Sequence, residues 1–349
     1  MTPNNIPVDR VRIFDQAGNA LAEFKTRVDR SWVIGNAGRA QFTVPTNDSD
    51  IVSEKVLRFG NWLLVENSQL PSWVGVIDVT RRWSPRDVTV SAYGVEHVIG
   101  WRRGPLEQVV EGAAGYLFGW LLDYVNAQHP TVIQRGDIDE TGTQRQETFN
   151  PTLLSVDLQR IFKRSGEEYR WRPVIDEYGR LVVYGDWLPS IGGDTGAMLH
   201  EGKHGGNLEI SGSIITEDGP IENDILGYGD GLTWQSRPIN TVADEDSIFL
   251  YGLRQTSIAY QGVTTIGTVT TNALERLSQY KQPNKKFLAR AINVGNTFQY
   301  IDLGNTFTLQ LQNSGFTDGL LGYISTVRIL GMRYDPLLRN KIELVLEEV

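Results

Sequence analysis

No cysteine occurs among the 349 residues of this chain. Its absence excludes disulfides, thiol nucleophiles, thiolate zinc sites and iron–sulfur clusters. It leaves the compartment open, because cysteine-free proteins work both inside and outside cells. Positive charge is scarce as well: 33 Lys and Arg stand against 42 Asp and Glu, for a net charge of −9. So acidic a chain lacks the overall footprint of a nucleic-acid binder. Long apolar runs are missing too. The most apolar stretch, 117–125, is interrupted by Gly119 and Asp123 and is far too short to span a bilayer. The N-terminus has no basic segment leading into an apolar one, so no signal peptide is visible. Neither a G-x-S-x-G nor a P-loop pattern is present.

What is there points to a folded, multi-domain chain. Hydrophobic residues make up 40% and aromatics 10%, enough to bury a core, and the length suits two or three domains. Residues 8–100 carry β signals. Val11, Ile13 and Phe14 precede a turn at Asp15, Gly18 and Asn19, and apolar residues resume at Leu21, which predicts a hairpin. Gln41-Phe-Thr-Val44 alternates and ends at Pro45. Trp62-Leu-Leu-Val65 is continuously apolar, as a strand buried on both faces would be. Two more short strands follow at 73–79 and 88–93, a pattern that suits a sandwich or small barrel.

Helical signals begin after Trp101. Gly104-Pro105 opens a segment to Gln128 in which Val109, Ala113, Leu117, Leu121 and Val125 form one apolar stripe. Asn150 reads as the N-cap of a second helix, which buries Leu154, Leu158, Ile161 and Phe162 and closes at Gly166. Segments 169–175 and 181–184 flank a turn and predict a hairpin. Six glycines across 191–206 read as a linker. Strand signals return after Asn207, with a helical stretch near 272–280 where Leu274 and Leu277 share a face. The resulting fold class is mostly β with an α+β insertion. The domains are 1–100 (β), 101–206 (α+β) and 207–349 (β).

The most informative feature is an internal echo. Phe59-Gly-Asn-Trp-Leu-Leu-Val65 is followed by Gly75-Val-Ile-Asp-Val79 and Asp87-Val-Thr-Val-Ser91. Near the other end, Leu303-Gly-Asn-Thr-Phe-Thr-Leu309 is followed by Gly322-Tyr-Ile-Ser-Thr-Val327 and Asn340-Lys-Ile-Glu-Leu-Val345. In both, a Gly-Asn turn enters a strand, a Gly-led strand comes next, and an alternating strand ends the set.

This order resembles the tail-tube fold of bacteriophages. Phe42-Thr-Val-Pro45 before the acidic turn 47–50 fits its start, and Gln299-Tyr-Ile-Asp-Leu-Gly-Asn305 with Ile324-Ser-Thr-Val-Arg328 resembles a later copy. The helix and hairpin around 165–184 resemble the domain set between two tube-like barrels in the hub proteins of phage tails and related injection machines. Residues 207–270 match least well. The resemblance implies two tail-tube-like β-barrels or sandwiches flanking a helix-plus-hairpin domain. It also implies a homotrimer whose six barrels form a ring, adapting a six-fold tail tube or distal tail ring to a three-fold central fibre or spike. The channel would hold tape-measure protein and pass DNA without sequence-specific binding, in the tail tip of a virion. A carboxylate-rich channel wall would let phosphates slide. The chain stops directly after the last β segment, so a separate protein is expected to supply spike, fibre or lytic activity.

Other sites compete with this reading. His200-Glu-Gly-Lys-His204 matches the H-E-x-x-H of zinc peptidases, which needs both histidines on one helical face. Gly202 inside the motif and Gly205-Gly206 after it oppose a helix, so no metal or other cofactor is expected. A third ligand such as Glu222 can be imagined, but nothing in the sequence points to it. Asp137, Asp139 and Glu140 lack the spacing of a calcium loop. Glu167-Glu168 reads as surface charge rather than a glycosidase pair. Arg81-Arg82-Trp83 and Trp101-Arg102-Arg103 set Arg beside Trp and suit subunit-interface anchors. Two alternatives to a structural hub stand: a tail-associated metallopeptidase through His200, Glu201 and His204, and a carbohydrate-binding adhesin using Trp73, Trp83, Trp187 and Trp234.

Overall fold

The computed structural model describes residues 8–48, 50–53, 55–202, 205–209, 215–218, 220–282, 284–312, 323–338 and 340–349. The N-terminal region is β1 (Asp9–Phe14), β2 (Ala20–Thr26), β3 (Val28–Val33), β4 (Arg39–Pro45), β5 (Trp62–Glu66), β6 (Trp73–Trp83) and β7 (Asp87–Gly94), followed by α1 (Glu96–Ile99). A middle unit holds β8 (Gln108–Gly112), α2 (Ala114–Gln128), β9 (Ile133–Ile138), β10 (Arg145–Phe149), α3 (Leu154–Ser165), β11 (Glu168–Ile175) and β12 (Leu181–Leu188). Next come β13 (Asp194–His200), β14 (Leu208–Glu209) and β15 (Ile215–Asp218). A small unit follows: β16 (Asp224–Tyr228), β17 (Ile239–Ala243), α4 (Glu245–Tyr251), β18 (Gln255–Ala259) and α5 (Ile266–Tyr280). The chain ends with β19 (Asn284–Ile292), β20 (Thr306–Leu311), β21 (Tyr323–Tyr334) and β22 (Lys341–Glu348).

Fourteen strands from both ends of the chain form one sheet, ordered β14-β19-β22-β21-β3-β4-β7-β6-β5-β1-β2, with β15 on β19, β20 on β21 and β13 on β20. The fold is therefore mostly β with a helical insertion. The barrels differ from expectation: among the described residues neither β region closes on itself by strand pairing, and the two are halves of one continuous sheet. Each half nonetheless wraps its own core, one around Phe42, Leu63, Ile77 and Val90 and the other around Phe287, Phe307, Ile329 and Leu344. β5 is buried on both faces, as its unbroken apolar run requires. Leu63 and Val65 face the N-terminal core, while Trp62 and Leu64 pack with α2 and α3 in the largest core.

The echo in the sequence is a real repeat of hydrogen bonds. The Gly60 amide donates to the Ile77 carbonyl, and the Ile77 amide to the Asn61 carbonyl, each at 2.8 Å. Gly304 donates to Ile329 at 2.9 Å, and Ile329 to Asn305 at 3.0 Å. Both glycines are left-handed, with φ of +88° and +79°, a region that costs other L-residues roughly 1–2 kcal/mol. Both asparagines then turn their side-chain amides back onto the preceding loop: Asn61 donates to the Lys55 and Val56 carbonyls, and Asn305 to that of Tyr300. The meanders β5-β6-β7 and β20-β21-β22 grow from these two turns.

Elsewhere tertiary contacts overrule local signals. The helix expected from Pro105 begins only at Ala114, because residues 108–112 pair as β8 with β10 and leave Val109 exposed. The second helix starts at Leu154 rather than after Asn150, since the Arg102 carbonyl accepts the Leu154 amide and holds the entry. Gly166 caps that helix at φ +69°, as read from the sequence. The glycine-rich 191–206 stretch carries β13, which pairs parallel with β20. Residues 224–280 make a separate sheet, ordered β17-β16-β18 under α5, joined to the middle unit by the ion pair of Arg145 with Glu275.

The two turns differ in what surrounds them. A Cβ on Gly304 would lie 2.1 Å from the Ile191 carbonyl oxygen, whereas on Gly60 it would meet only the movable Gln16 amide at 2.9 Å. Gly304→Ala is expected to cost about 2–4 kcal/mol and Gly60→Ala about 1–2, measured as the order of the two losses in denaturant unfolding.

Candidate assembly surface

The two β regions meet where β21 changes partner. Its first half, Tyr323 to Arg328, pairs with β20. Past an irregularity between Ile329 and Gly331, its last four residues pair antiparallel with β3: Gly331 opposite Val33, Met332 opposite Trp32, Arg333 opposite Ser31 and Tyr334 opposite Arg30. Beneath this seam Arg30 is completely buried and meets Asp9 of β1 at 2.8 Å. The guanidinium lies 5.2 Å from each of the Trp32 and Tyr334 rings, a cation–π sandwich. Burial pushes the Arg30 pKa down and the Asp9 carboxylate pulls it back up. Asp9 also accepts from the Val28 amide and the Asn67 side chain.

The solvent face over the seam is built in rungs. Leu288, Val345, Gly331 and Val33 stand in register across four strands and line a shallow hollow of about 400 Å³. Charged residues flank it as neutralising pairs: Arg290 with Glu343 at 3.0 Å and Arg333 with Asp29 at 2.8 Å. Behind the sheet, Glu168 of the middle unit takes both terminal nitrogens of Arg328 at 2.6 and 2.5 Å and also accepts the Ile191 amide.

The residues singled out in the sequence fall in different places. Arg81, Arg82 and Trp83 end β6, the counterpart of β21. Arg81 lies over the Phe59 ring at 4.6 Å, and Trp83 is 55% exposed. Trp101, Arg102 and Arg103 form the turn after α1, where they tie α1 to the middle unit. Trp101 sits edge-on to His97, and the Arg103 carbonyl accepts the Gln128 amide at 2.7 Å.

His200 closes strand β13 and Glu201 bridges to Leu208, so these two do not stand on a helix. His204 lies outside the described residues. Among the described residues no group of three His, Asp or Glu side chains could hold a metal ion. Glu222 is engaged by Arg276 through both oxygens at 2.5 and 2.6 Å.

Asp137 pairs with Arg172, Asp139 accepts from Thr141, and Glu140 reaches Arg135 at 3.9 Å. Glu167 and Glu168 diverge, the first to the Trp187 indole and the second to Arg328. Of the four tryptophans considered for sugars, Trp73 and Trp187 are 2% and 0% exposed, because each fills a core; Trp83 and Trp234 remain half-exposed.

Sequence reading missed the Asp9–Arg30 pair and Glu96. A charge in an alternating strand reads as a solvent face, and only the far-off Tyr334 and Asp9 make position 30 interior. Glu96 opens α1 in the crevice beside Tyr169 and Trp171, and burial raises its carboxyl pKa.

Removing one partner of a buried ion pair strands the other. Arg30→Ala is therefore expected to lose about 3–5 kcal/mol, read by chemical denaturation. For Glu96, a raised folded-state pKa means stability is full below the ordinary carboxyl range and falls as pH rises through the folded value. Glu96→Gln should melt above the parent chain near pH 8 and with it near pH 4, measured by thermal scans at both values.

No family model and no curated protein matches the sequence. Solved structures do match. The tail protein from Neisseria meningitidis MC58 superposes with a TM-score of 0.62 at 13% identity, covering 97% of this chain and 96% of that one. Prophage tail protein gp18 from Listeria monocytogenes EGD-e gives 0.59 at 13% identity, covering 97% and 94%. The E. coli c3393 protein, a component of the type VI secretion system with structural similarity to the T4 bacteriophage tail proteins gp27 and gp5, gives 0.52 at 9% identity, covering 98% and 74%. For the first two, coverage is near-complete in both directions; at such low identity this is a likeness of fold, and the fold of this chain is that of the bacteriophage tail proteins.

Proposed function

We propose that this chain is a structural hub protein of a phage tail tip or baseplate. The observation that carries the reading is the in-chain repeat: two meanders built on equivalent Gly-Asn turns, joined edge to edge by β21 and β3 into one sheet. A chain that presents two copies of one module can meet a six-fold neighbour with three subunits, and closed rotational symmetry limits the assembly to a ring. The tail-protein fold supports a virion location. In this reading the homotrimer receives a tail tube or distal tail ring on one side and a central fibre or spike on the other. Its channel accommodates the tape-measure protein and then DNA.

The role needs no bond chemistry. It needs a rigid wall, and the features above serve that end. The Arg328–Glu168 clamp and the double-sided burial of β5 fix the middle unit to the sheet. Around the seam, carboxylates are matched by Arg in the pairs Arg290 with Glu343 and Arg333 with Asp29, and farther along the same sheet Lys341 of β22 meets Glu209 of β14. If the solvent face of the seam lines the channel, it offers DNA a near-neutral surface there rather than the acidic one suggested by the net charge. A neutral wall also lets a polyanion pass, by supplying no counter-charge to hold phosphates.

Light scattering on the purified chain is expected to give three times the chain mass of 39.1 kDa, with six similar lobes around an axis in negative-stain averages. A stable monomer at every concentration, absent from purified tails, would sink the reading.

A further inference from the structure

Glu96 opens α1 where the N-terminal region meets the middle unit. It lines two spaces at once. One is the crevice beside Tyr169 and Trp171, and the other is a hollow of about 370 Å³ between α1, the turn after β3, and α3. Asn36 and Val156 border this hollow and are exposed, whereas Glu96 is 8% exposed. The hollow therefore opens to solvent on one side and has a carboxylate at its inner end.

That carboxylate lacks a counter-charge. Among the described residues no cation pairs with it. The two basic residues that line the same spaces are engaged elsewhere, His97 with Asp78 at 2.5 Å and Arg170 with Asp186 at 3.0 Å. The Tyr169 hydroxyl and the Trp171 indole face the carboxylate, but the indole N–H falls outside hydrogen-bond geometry. Burial outweighs these neutral neighbours and raises the carboxyl pKa. An interior acid that opposes its own ionisation, with no cation in the chain to match it, is a candidate for completion by a ligand.

The hollow holds further acceptors. Gln159 donates its Nε2 to the Gly35 carbonyl and the Tyr169 hydroxyl, which leaves its Oε1 available to a donor. Ser155 adds a hydroxyl. A carboxylate, an amide oxygen and a hydroxyl side by side suit a guanidinium, which carries five N–H donors in a fixed planar fork. The rim is apolar: Val156 is 55% exposed, and Trp101, edge-on to His97, is 40% exposed. Such a rim suits the aliphatic stem of an arginine, and the volume leaves room for the stem as well as the head.

We propose that this hollow is a docking site for an arginine side chain of a partner protein, with the guanidinium on Glu96 and Gln159 Oε1 and the stem over Val156. The proposal goes beyond the hub reading and does not depend on the number of subunits.

The probe is the peptide acetyl-Gly-Arg-Gly-amide. It is compared with the same peptide carrying citrulline, the neutral isostere of arginine, and with agmatine, a guanidinium on a stem without main chain. Ligand-observed NMR titrations of the full chain near pH 7 are expected to show saturable binding of the arginine peptide, with the citrulline peptide about ten-fold weaker or worse. Agmatine should bind more weakly than the arginine peptide, because it has no main chain to cover the rim. Glu96→Gln should erase the preference for arginine over citrulline, while its thermal melt near pH 4 matches that of the parent chain and shows the fold intact. Equal binding of the arginine and citrulline peptides to the unaltered chain overturns the site, as does no binding of the arginine peptide. So does an undiminished preference in Glu96→Gln. Agmatine binding as tightly as the arginine peptide overturns the protein partner in favour of a small guanidinium ligand.

Discussion

The architecture depends on one strand serving two neighbours. β21 pairs with β20 until Ile329, then slips past an irregularity so that its remaining residues take up β3 from the other end of the sequence. Backbone hydrogen bonds alone would make this a weak edge contact. What fixes it is beneath: Arg30, desolvated between Trp32 and Tyr334 and neutralised by Asp9, draws residues from β1, β3 and β21 to one point. A buried cation missing any of these partners would be costly, so the seam is held in a single register. With the register set, the two half-cores become one rigid wall.

The repeat shows which parts of such a half-unit are obligatory. The Gly-Asn turn recurs because only a residue without Cβ accepts the left-handed conformation cheaply, and because the following Asn side chain satisfies carbonyls of the loop before it. Around this constant centre the periphery varies. β1 lies antiparallel on β5, whereas β13 lies parallel on β20. β3 and β4 are joined by a short turn, whereas the equivalent link between β15 and β19 contains the whole of the small unit at 224–280. That insertion is the physical reason why residues 207–270 show little of the tail-tube pattern in sequence. The insert obeys its own core of Ile225, Tyr260, Val269 and Leu277.

Much of this was legible locally. The hairpin at Asp15 could be read because its carboxylate accepts the Ala17 and Asn19 amides, contacts set within five residues. The double burial of β5 followed from four apolar residues in a row. The stop at Gly166 followed from its left-handed cap. The failures share a cause too. Residues 108–112 became a strand because β10, more than thirty residues later, was there to pair with them. The glycines around β13 look like a linker until β20 supplies a parallel neighbour. The candidate surface was half-legible: Arg and Trp in succession singled out the end of β6, whereas nothing local marked Arg30 or the seam of β21 with β3.

The sequence by itself determined the repeated module, its turn chemistry and the mainly β character of the chain, because these rest on local backbone preference and on alternation along single strands. It also excluded thiol chemistry outright. Only the tertiary structure decided that the two modules share one sheet, that an arginine is interior, and that the H-E-x-x-H pair His200 and Glu201 lies on extended chain. Those outcomes depend on partners outside the local segment, and burial of a charge or pairing of an edge strand is a property of the partner as much as of the residue itself.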